Sequence, residues 1–421
     1  MKAKVIPPFR LVTDLHDGVT NRSDKFLVWR WLADLCKDYA KDLVKDTTDT
    51  LIKIEDLKEN RKIKRGTKIF NMDVVSLYDS LTIELVLKAV NHAMEKHRPE
   101  WSSELRLWIQ NLIELSCRSG VVKSNEKWYV AQKGIPTGGV PCVDIGNISV
   151  YFVLEHLVYQ QHTRPPELVS LLRYVDDGLG FLKGSEDLFV DWMSSLNISS
   201  KDQFGLSFTY EFFETDQFAN FLDISLKFEF ESDLQLITDI YRKPTDANRY
   251  LHFTSHHPRH VFYSVVYSAA LRYRRIINND DTLQLRLKEL NVIFEKSGYP
   301  TEMVNTILHK VGNTNRVLQY RTKNDEKAFV TPWLAVYGPG FDEVKEKCSE
   351  MNSILLKSEV WKKEVDDGKK DIIKVVAKRG PNLADMLFKR KRLALGSGSV
   401  GGKVCTLSCP SNQYLCCKIV S

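Results

Sequence analysis

The sequence lacks the features that mark membrane, secreted and repeat proteins. None of its 421 residues lies in an apolar run approaching the ~20 residues of a membrane-spanning helix. The first residues, MKAKVIPPFRL, contain no apolar core of signal-peptide length, and no internal repeat is evident. We therefore expect no membrane partner and a location in the nucleus, the cytoplasm or both, where thiols stay reduced.

Cysteine is sparse and mostly scattered. We interpret Cys36, Cys117, Cys142 and Cys348 as packing residues. Four others lie near the C-terminus, in a spacing that fits no standard zinc finger and with no histidine beside them. Their pattern leaves two interpretations open, a fragment of a zinc-binding tail and a truncated end. These four are Cys405, Cys409, Cys416 and Cys417.

Charge of one sign is not in large excess, because the net charge is only +6. The basic residues nevertheless cluster in RKIKRGTK (61–68), RYRR (272–275) and KRKR (389–392). Such clusters fit phosphate contacts, although each one also fits a solvated surface, and KRKR also fits a nuclear localisation signal. Apolar residues make up 43% of the chain, which is enough for a folded core, so a disordered protein is not expected.

The motif that says most about function is LLRYVDDGLGFL, residues 171–182. Two adjacent carboxylates, Asp176 and Asp177, lie between two apolar, strand-like runs. Asp-Asp-Gly between strands predicts a hairpin turn, although taken alone it also fits a solvated turn. A hairpin tip can bring two carboxylates to a third on a neighbouring strand, and such a cluster binds Mg²⁺ through oxygen.

A candidate third carboxylate lies in KIFNMDVVSLYDSL, residues 68–81. Asp73 is inside an apolar, strand-like run, and a charge in a buried strand is costly unless it is paired or bound to a metal. Tyr78 follows five residues later, before a segment whose apolar residues fall on one face of a helix. Between the two acidic motifs, GIPTGGVPCVDIGN (134–147) predicts a Gly/Pro-rich turn that opens another helix.

An isolated Asp, a Gly-rich turn before a helix and a Tyr-x-Asp-Asp hairpin, in this order, resemble the palm of a reverse transcriptase. Three later segments look like those that follow the palm in reverse transcriptases of Penelope-like retroelements, a family related to telomerase. They are FANFLDISLKF (218–228), TDIYRKPTDANRYLHFTSHHPRH (238–260) and ALRYRRI (270–276). PPFRLVTD (7–14) resembles the family's second fingers motif.

The resemblance implies an α+β, right-hand polymerase fold. Residues 1–67 would form partial fingers, since the family's first fingers motif would lie upstream of them. Residues 68–229 would form an antiparallel-sheet palm, and residues 230–395 a primer-grip continuation and a helical thumb. Residues 396–421 would be a flexible Gly/Ser linker and a Cys-containing tail.

The same resemblance implies an RNA-directed DNA polymerase that extends a primer 3′-hydroxyl with dNTPs. Its partners would be an RNA template and a DNA primer, and its cofactor two Mg²⁺ ions, with Mn²⁺ as a substitute. Asp73 and Asp176 would be the bridging metal ligands and Asp177 a more peripheral one. The backbone carbonyl of Val74 is a further candidate ligand.

Five residues would form the nucleotide site by resemblance. Tyr78 would lie under the sugar and disfavour a 2′-hydroxyl, and the alternative for it is an ordinary core tyrosine. Gly138 and Gly139 would let the backbone approach the nucleotide closely because they lack a Cβ, and the alternative for them is a plain helix-entry turn. Thr137 stands where many reverse transcriptases have Gln, and Arg10 would contact the triphosphate.

Four basic residues are candidates for nucleic-acid contact. Lys64 and Arg65 belong to the first basic cluster. Arg272 and Arg275 lie three apart on the expected helix and could follow the primer backbone. FLDISL (221–226) is a candidate primer grip or simply a strand. We expect residues 205–213 and 221–230 to form strands that join the sheet of the hairpin.

A group of histidines in the same region does not predict a zinc site. Pro258 suits the first position of a helix, so the histidines on either side of it need not share a helical face. The group consists of His252, His256, His257 and His260.

Two other functions remain open at this stage. The chain could be a non-catalytic nucleic-acid-binding protein derived from a decayed or domesticated element, or an RNA-templated RNA polymerase, against which Tyr78 argues. The GIY-YIG endonuclease that the family commonly carries has no counterpart in the sequence. We therefore expect a protein that polymerises and does not cut DNA.

Overall fold

The computed structural model shows a mixed fold of helices and largely antiparallel sheets, as the α+β expectation requires. The described residues fall into two compact units, one within Met1–Phe253 and Tyr263–Tyr320, the other within Thr254–Phe262 and Arg321–Ser421. The structure describes residues 20–124, 127–130, 133–159, 168–214, 217–230, 234–247, 249–316, 330–338, 340–355, 357–359 and 372–378.

The helices include one where the apolar pattern after Tyr78 predicts it, Ile83–His97. None of those in the described ranges is long and apolar enough to cross a membrane. The α-helices are α1 (Asn21–Leu27), α2 (Ala33–Tyr39), α3 (Thr47–Glu59), α4 (Leu77–Ser80), α5 (Ile83–His97), α6 (Ser103–Arg118), α7 (Cys142–Leu154), α8 (Glu186–Phe204), α9 (Arg259–Ile276), α10 (Asp280–Lys296), α11 (Thr301–Gly312) and α12 (Phe341–Leu355). Two π-helical turns, Val28–Leu32 and Glu155–Tyr159, follow α1 and α7.

The strands form four sheets in the described part of the chain, with the orders β4-β5-β1-β6, β7-β8-β9, β2-β3 and β10-β11. The strands are β1 (Thr67–Val74), β2 (Val121–Ser124), β3 (Lys127–Val130), β4 (Leu168–Tyr174), β5 (Asp177–Lys183), β6 (Phe208–Phe213), β7 (Ala219–Phe221), β8 (Ile224–Phe230), β9 (Leu234–Ile240), β10 (Val330–Val336) and β11 (Ile372–Lys378).

The central sheet carries the motifs that the sequence singles out. All its pairings are antiparallel, and β1 lies between β5 and β6. Its two faces contact different groups of buried apolar side chains, since Phe70 and Met72 join one and Ile69 joins the other. This two-sided burial explains why apolar residues of β1 occur on both faces of the sheet.

Gly180 makes the pairing of β1 with β5 possible at its centre. Its Cα faces that of Phe70, and a Cβ on Gly180 would lie 2.0 Å from Cζ of the Phe70 ring. The ring of Phe70 therefore lies across the backbone of β5 and contacts Phe189 on α8, at a centroid distance of 4.6 Å. The glycine fixes where α8 packs on the sheet.

Helices α5 and α7 contribute to the core that contains Phe70 and Met72, and α5 confirms the amphipathic pattern predicted after Tyr78. Val86, Val90 and Met94 of α5 are buried, and Thr82 caps its first turn by accepting a hydrogen bond from the Leu85 N–H at 3.2 Å. Helix α7 is apolar on nearly all sides because it is buried among α2, α4 and α5. The cysteines assigned to packing are buried, as expected, and form no disulfide; they are Cys36, Cys117, Cys142 and Cys348.

The expectation that residues 221–230 would join the sheet of the hairpin is wrong. Strand β6 does join it, through β1, but β7, β8 and β9 form a separate antiparallel sheet. The chain turns between β7 and β8 at Leu222 and Asp223, with Leu222 in the left-handed region at φ 54°. This short turn pairs β8 with β7 on one side, and β9 pairs with it on the other, so no edge of β8 is left for the central sheet.

Beyond β9 the chain is helical, as predicted, but not throughout. In α11 the four apolar residues at helical spacing are buried: Val304, Ile307, Leu308 and Val311. In the second unit, β10 and β11 pair in parallel, and α12 lies between them in the sequence. The predicted boundaries of fingers, palm and thumb stay a prediction.

Candidate active site

The structure contains the predicted hairpin with the two carboxylates, but its turn lies one residue earlier than the Asp-Asp-Gly sequence indicated. Tyr174 pairs with Asp177, so the two-residue turn consists of Val175 and Asp176, and Asp177 is the first residue of β5. Gly178 is buried within the strand, and a Cβ there would lie 3.3 Å from that of Met72. The glycine is therefore needed for packing rather than for the turn.

The backbone of the turn is strained at Val175. Its φ is 57°, in the left-handed region that β-branched residues rarely adopt. Such strain persists only where the surroundings enforce it. The hydrogen bonds of Arg173 supply that enforcement.

Arg173 is fully buried beneath the hairpin tip, and all five of its side-chain donors are used. Its guanidinium donates to Asp42 through Nε at 2.8 Å and Nη2 at 3.3 Å, and to the side chain and backbone oxygens of Asn147 at 3.0 and 3.1 Å. The fifth bond runs from Nη1 to the backbone oxygen of Val175 at 2.7 Å. Arg173 thus ties the strained turn to α7 and to the loop before α3. The sequence analysis missed it, although a lone Arg inside an apolar strand was a signal.

The register brings Asp73 to the same place. Its Cα faces that of Asp177 on β5 and that of Thr209 on β6, and residues directly opposite in an antiparallel sheet point to the same face. The N–H of Val74 donates to the backbone oxygen of Asp176 at 3.1 Å. The structure therefore brings together the two acidic motifs that lie about a hundred residues apart.

One premise about Asp73 is wrong. The sequence suggested a charge inside a buried strand, whereas Asp73 is exposed near the end of β1, with buried Met72 and Val74 on either side. Because its carboxylate is exposed, folding does not require it to be neutralised. Its carboxylate is accessible to an ion or substrate from solvent.

The pKa of Asp177 is raised above its ordinary value, first by burial and then by the negative charge of Asp176, while the positive charge of Lys243 lowers it. The two hairpin carboxylates therefore repel each other. Lys243, which is exposed in the RKPT segment after β9, is the nearby cation that the sequence analysis did not pick out.

Tyr78 and the Gly-rich turn meet beside these carboxylates. The Ile135 N–H donates to the Tyr78 backbone oxygen at 2.8 Å. Gly134, at φ 85°, permits this approach, because a Cβ there would lie 2.8 Å from the same oxygen. The Tyr78 ring packs against Gly146 of α7. Burial raises the pKa of Tyr78 to about 12, and the charge of Asp176 adds to the effect.

The remaining turn residues precede α7. Gly138 is exposed at φ 102°, Gly139 is buried, and Thr137 is half-buried. The Gly139 N–H donates to the Pro136 oxygen at 3.1 Å, and the Cys142 N–H donates to the Gly139 oxygen at 3.1 Å. The turn is thus a folded helix entry as well as a candidate nucleotide contact.

Asp144, in the first turn of α7, is a second residue that sequence reasoning missed. Burial raises its pKa to about 6, and a hydrogen bond with Cys36 partly offsets that rise. A lone acid in an otherwise apolar helix was the available signal. Its negative charge also contributes to the raised pKa of Tyr78.

The candidate nucleic-acid-binding residues differ in exposure and in ion pairing. Lys64 and Arg65 are exposed before β1. Arg272 on α9 forms an ion pair with Asp223, and Arg275 is half-buried. Arg10 lies outside the described residues, as do the PPFRLVTD segment, the KRKR cluster and the C-terminal cysteines.

The carboxylates fit a divalent cation by chemistry and by register. Carboxylate oxygen is the ligand that Mg²⁺ prefers, and like charges directly opposite in a sheet are destabilising unless something compensates them. Within the part of the chain that the structure describes, no three His, Cys, Asp or Glu side chains form a ready-made metal cluster. Binding of an ion therefore requires Asp73, Asp176 and Asp177 to turn towards one another.

Comparison with protein families gives a match to one segment. A model described as an animal helix-turn-helix domain matches residues 249–309, which contain α9, α10 and most of α11. Helices α9 and α10 are joined by the three residues 277–279, a connection of the length found in that motif. The match covers too little of the chain to assign its family. No curated protein matches the sequence.

Solved structures with some similarity include polymerases. A telomerase from Candida albicans in complex with a fragment of telomeric RNA has 14% identity and a TM-score of 0.49, over 85% of this chain and 58% of that one. An apo telomerase from Candida tropicalis has 13% identity and a TM-score of 0.43, over 72% and 52%.

A Sicinivirus RNA-dependent RNA polymerase has 14% identity and a TM-score of 0.34, over 59% of this chain and 52% of that one. The chain thus spans between half and three fifths of the length of these proteins. These scores and identities are too low to assign a fold or an activity to it.

Proposed function

We propose that the chain is an RNA-directed DNA polymerase of the Penelope-like type. The observation that carries the proposal is the register of β1 with β5, which sets Asp73 opposite Asp177 beside Asp176 in the hairpin turn. A chance Asp-Asp turn would have no reason to meet a third carboxylate from a distant motif. The right-hand arrangement of fingers, palm and thumb is part of this proposal, as is a nuclear or cytoplasmic location.

Nucleotide addition joins a primer 3′-hydroxyl to the α-phosphate of a dNTP, with release of pyrophosphate. Mg²⁺ held by Asp73, Asp176 and Asp177 would supply the positive charge that this phosphoryl transfer needs. The protein's part is to present the carboxylates on a fixed hairpin, which Arg173 and the strained turn provide. Lys243 adds positive charge next to Asp177.

Tyr78 is the proposed selector of deoxynucleotides. Its backbone is fixed by the Gly-rich turn and its ring by α7, so a sugar beside it would meet a positioned ring. Replacing Tyr78 with Val is expected to raise kcat/KM for ribonucleotides relative to deoxynucleotides. An unchanged ratio would show that Tyr78 is a core residue only. If the chain is instead an RNA polymerase, the unmodified protein will prefer ribonucleotides to deoxynucleotides.

Primer extension tests the proposal directly. The purified chain is given a DNA primer on an RNA template with dNTPs and Mg²⁺, and the product is checked for resistance to RNase and sensitivity to DNase. We expect templated DNA synthesis, supported also by Mn²⁺. No extension with either ion, although the protein is folded and binds the primer–template, would contradict the proposal.

The second candidate is a non-catalytic nucleic-acid-binding protein. The helix-turn-helix match at residues 249–309 favours it, because that motif is common in DNA-binding proteins. A polymerase cleft reads backbone and shape, so its affinity falls steeply with salt and depends little on sequence. Tight binding that selects one sequence, with no extension, would favour this second candidate.

A further inference from the structure

A chain of four aromatic rings lies on the surface formed by α1, the following π-helical turn and α6; we name it the aromatic face. It consists of Phe26, Trp29, Trp31 and Trp108. Trp29 is 76% exposed, Phe26 47% and Trp108 44%. Single exposed apolar residues are ordinary, but a contiguous group marks an interaction site.

The rings contact one another without stacking face to face. The centroid of Phe26 lies 6.3 Å from that of Trp29 and 5.2 Å from that of Trp31, and Trp31 lies 5.3 Å from Trp108. The interplanar angles are 44°, 87° and 74°. Edge contacts of this kind hold the rings in place and leave ring faces available to another π-system.

The exposed charged residues of Asn21–Leu32 are all positive. Arg22, Lys25 and Arg30 are exposed, whereas Asp24, the acid in the same stretch, is buried. Among the described residues, no ion pair involves these three cations. In Asn21–Leu32, exposed cations therefore alternate with exposed rings.

The backbone departs from the α-helix at the same residues. The π-helical turn Val28–Leu32 contains Trp29, Arg30 and Trp31. Such turns are rare and occur often at functional sites.

We propose that the aromatic face binds single-stranded nucleic acid, whose bases stack on the rings while Arg22, Lys25 and Arg30 contact its phosphates. Exposed rings among exposed cations are how sequence-tolerant single-strand sites are built. A duplex hides the faces of its bases, and an apolar protein partner would leave the three cations without counter-charges. This surface contains none of the carboxylates of the hairpin, so the inference goes beyond the proposed polymerase activity and does not depend on it.

Binding of fluorescent oligo(rU) and oligo(dT), measured by anisotropy, tests the proposal. Three variants are compared with the unmodified protein. The double aromatic variant combines Phe26→Ala and Trp29→Ala, and the triple cation variant combines Arg22→Ala, Lys25→Ala and Arg30→Ala. The single variant Trp29→Phe keeps a ring at position 29. The matched control is Leu188→Ala with Ile198→Ala, which removes exposed apolar side chains from α8. All these side chains are at the surface, so folding is expected to survive, and thermal unfolding verifies it.

We expect the double aromatic variant to lose about tenfold or more in affinity. The triple cation variant is expected to lose affinity too, and its remaining affinity no longer depends on salt. Trp29→Phe and the α8 control are expected to bind like the unmodified protein. Blunt RNA–DNA duplex is expected to bind all variants alike, and Asp176→Asn to keep full single-strand binding. A preference for oligo(rU) over oligo(dT) would identify RNA as the ligand. Equal affinity of the double aromatic variant and the unmodified protein would overturn the proposal. So would conversion of a dimer into a monomer by that variant, because the face would then be a contact between two copies.

Discussion

Arg173 and Val175 show how single residues set the geometry of the proposed site. A fully buried guanidinium is costly unless its donors are satisfied, and here each has an acceptor. One acceptor is the backbone oxygen of a valine in the left-handed region. The cost of the buried charge and the strain of the valine are thus offset by the same network, which fixes the position of Asp176.

Replacing Arg173 with Lys is expected to lower both stability and the rate of nucleotide addition. Lys keeps the charge but cannot form the planar set of bonds, and breaking a buried, paired network costs about 3–5 kcal/mol. Glycine adopts a positive φ without strain. Adding Val175→Gly to the Arg173→Lys protein is therefore expected to restore the rate of nucleotide addition more fully than the free energy of unfolding. Urea unfolding and single-nucleotide addition measure the two effects.

Arg286→Lys is the matched control, since Arg286 pairs with Asp239 and Glu289 away from the hairpin. It is expected to affect stability alone. If Val175→Gly leaves the rate of the Arg173→Lys protein unchanged, Arg173 does not act on the rate through the strained turn.

Asp144 gives the stability a defined pH dependence. Burial raises its pKa from 3.8 to about 6 in the folded protein. Between these values the folded state holds the proton more tightly than the unfolded state, so stability falls as pH rises through this window. Replacing Asp144 with Asn is expected to raise the free energy of unfolding by about 2 kcal/mol at neutral pH, after allowance for partial exposure.

The same substitution is expected to change little at pH 4, where the native carboxyl is protonated. Urea unfolding at both pH values measures the difference, with exposed Asp202→Asn as the control. A gain of equal size at pH 4 and pH 7.5 would contradict the assignment of the raised pKa.

At the scale of elements, the apolar patterns predicted β1, the two hairpin strands and α5, but not the position of the hairpin turn. The glycine after the two carboxylates looks like a turn residue, whereas Gly178 and Gly180 make room for Met72 and Phe70 of the neighbouring strand. Which strand lies next to β5 is a tertiary fact that local pattern does not contain. The separate sheet of β7–β9 escaped prediction for the same reason.

The contact between Gly180 and Phe70 predicts a coupled pair of substitutions. Replacing Gly180 with Ala puts a methyl group into the Phe70 ring and is expected to destabilise the protein by about 1–3 kcal/mol. In the Phe70→Leu background the added cost is expected to be smaller, because the ring is gone. A double-mutant cycle in urea measures the coupling, and strictly additive effects would contradict the role of Gly180 in this pairing.

At the scale of the whole molecule, the sequence was sufficient for the mixed fold class and for naming the residues that meet at the hairpin. The order of motifs indicated that Asp73 and the Asp-Asp pair belong together, and the register of β1 with β5 places them opposite each other. Arg173 and Asp144 stand out in the sequence only as lone charges in apolar elements, and Lys243 does not stand out at all. The role of all three comes from what surrounds them in space, which the sequence does not contain.

The rate of single-nucleotide addition by the Asp176→Asn protein tests the central claim most directly. The reaction uses a DNA primer on an RNA template with Mg²⁺, and Asp187→Asn, an exposed acid in the first turn of α8, is the control. We expect addition to be abolished in Asp176→Asn and unchanged in the control, while both bind primer–template normally, because that binding rests on phosphate contacts. Addition by Asp176→Asn at the rate of the unmodified protein would show that the hairpin carboxylates are not the site of a polymerase.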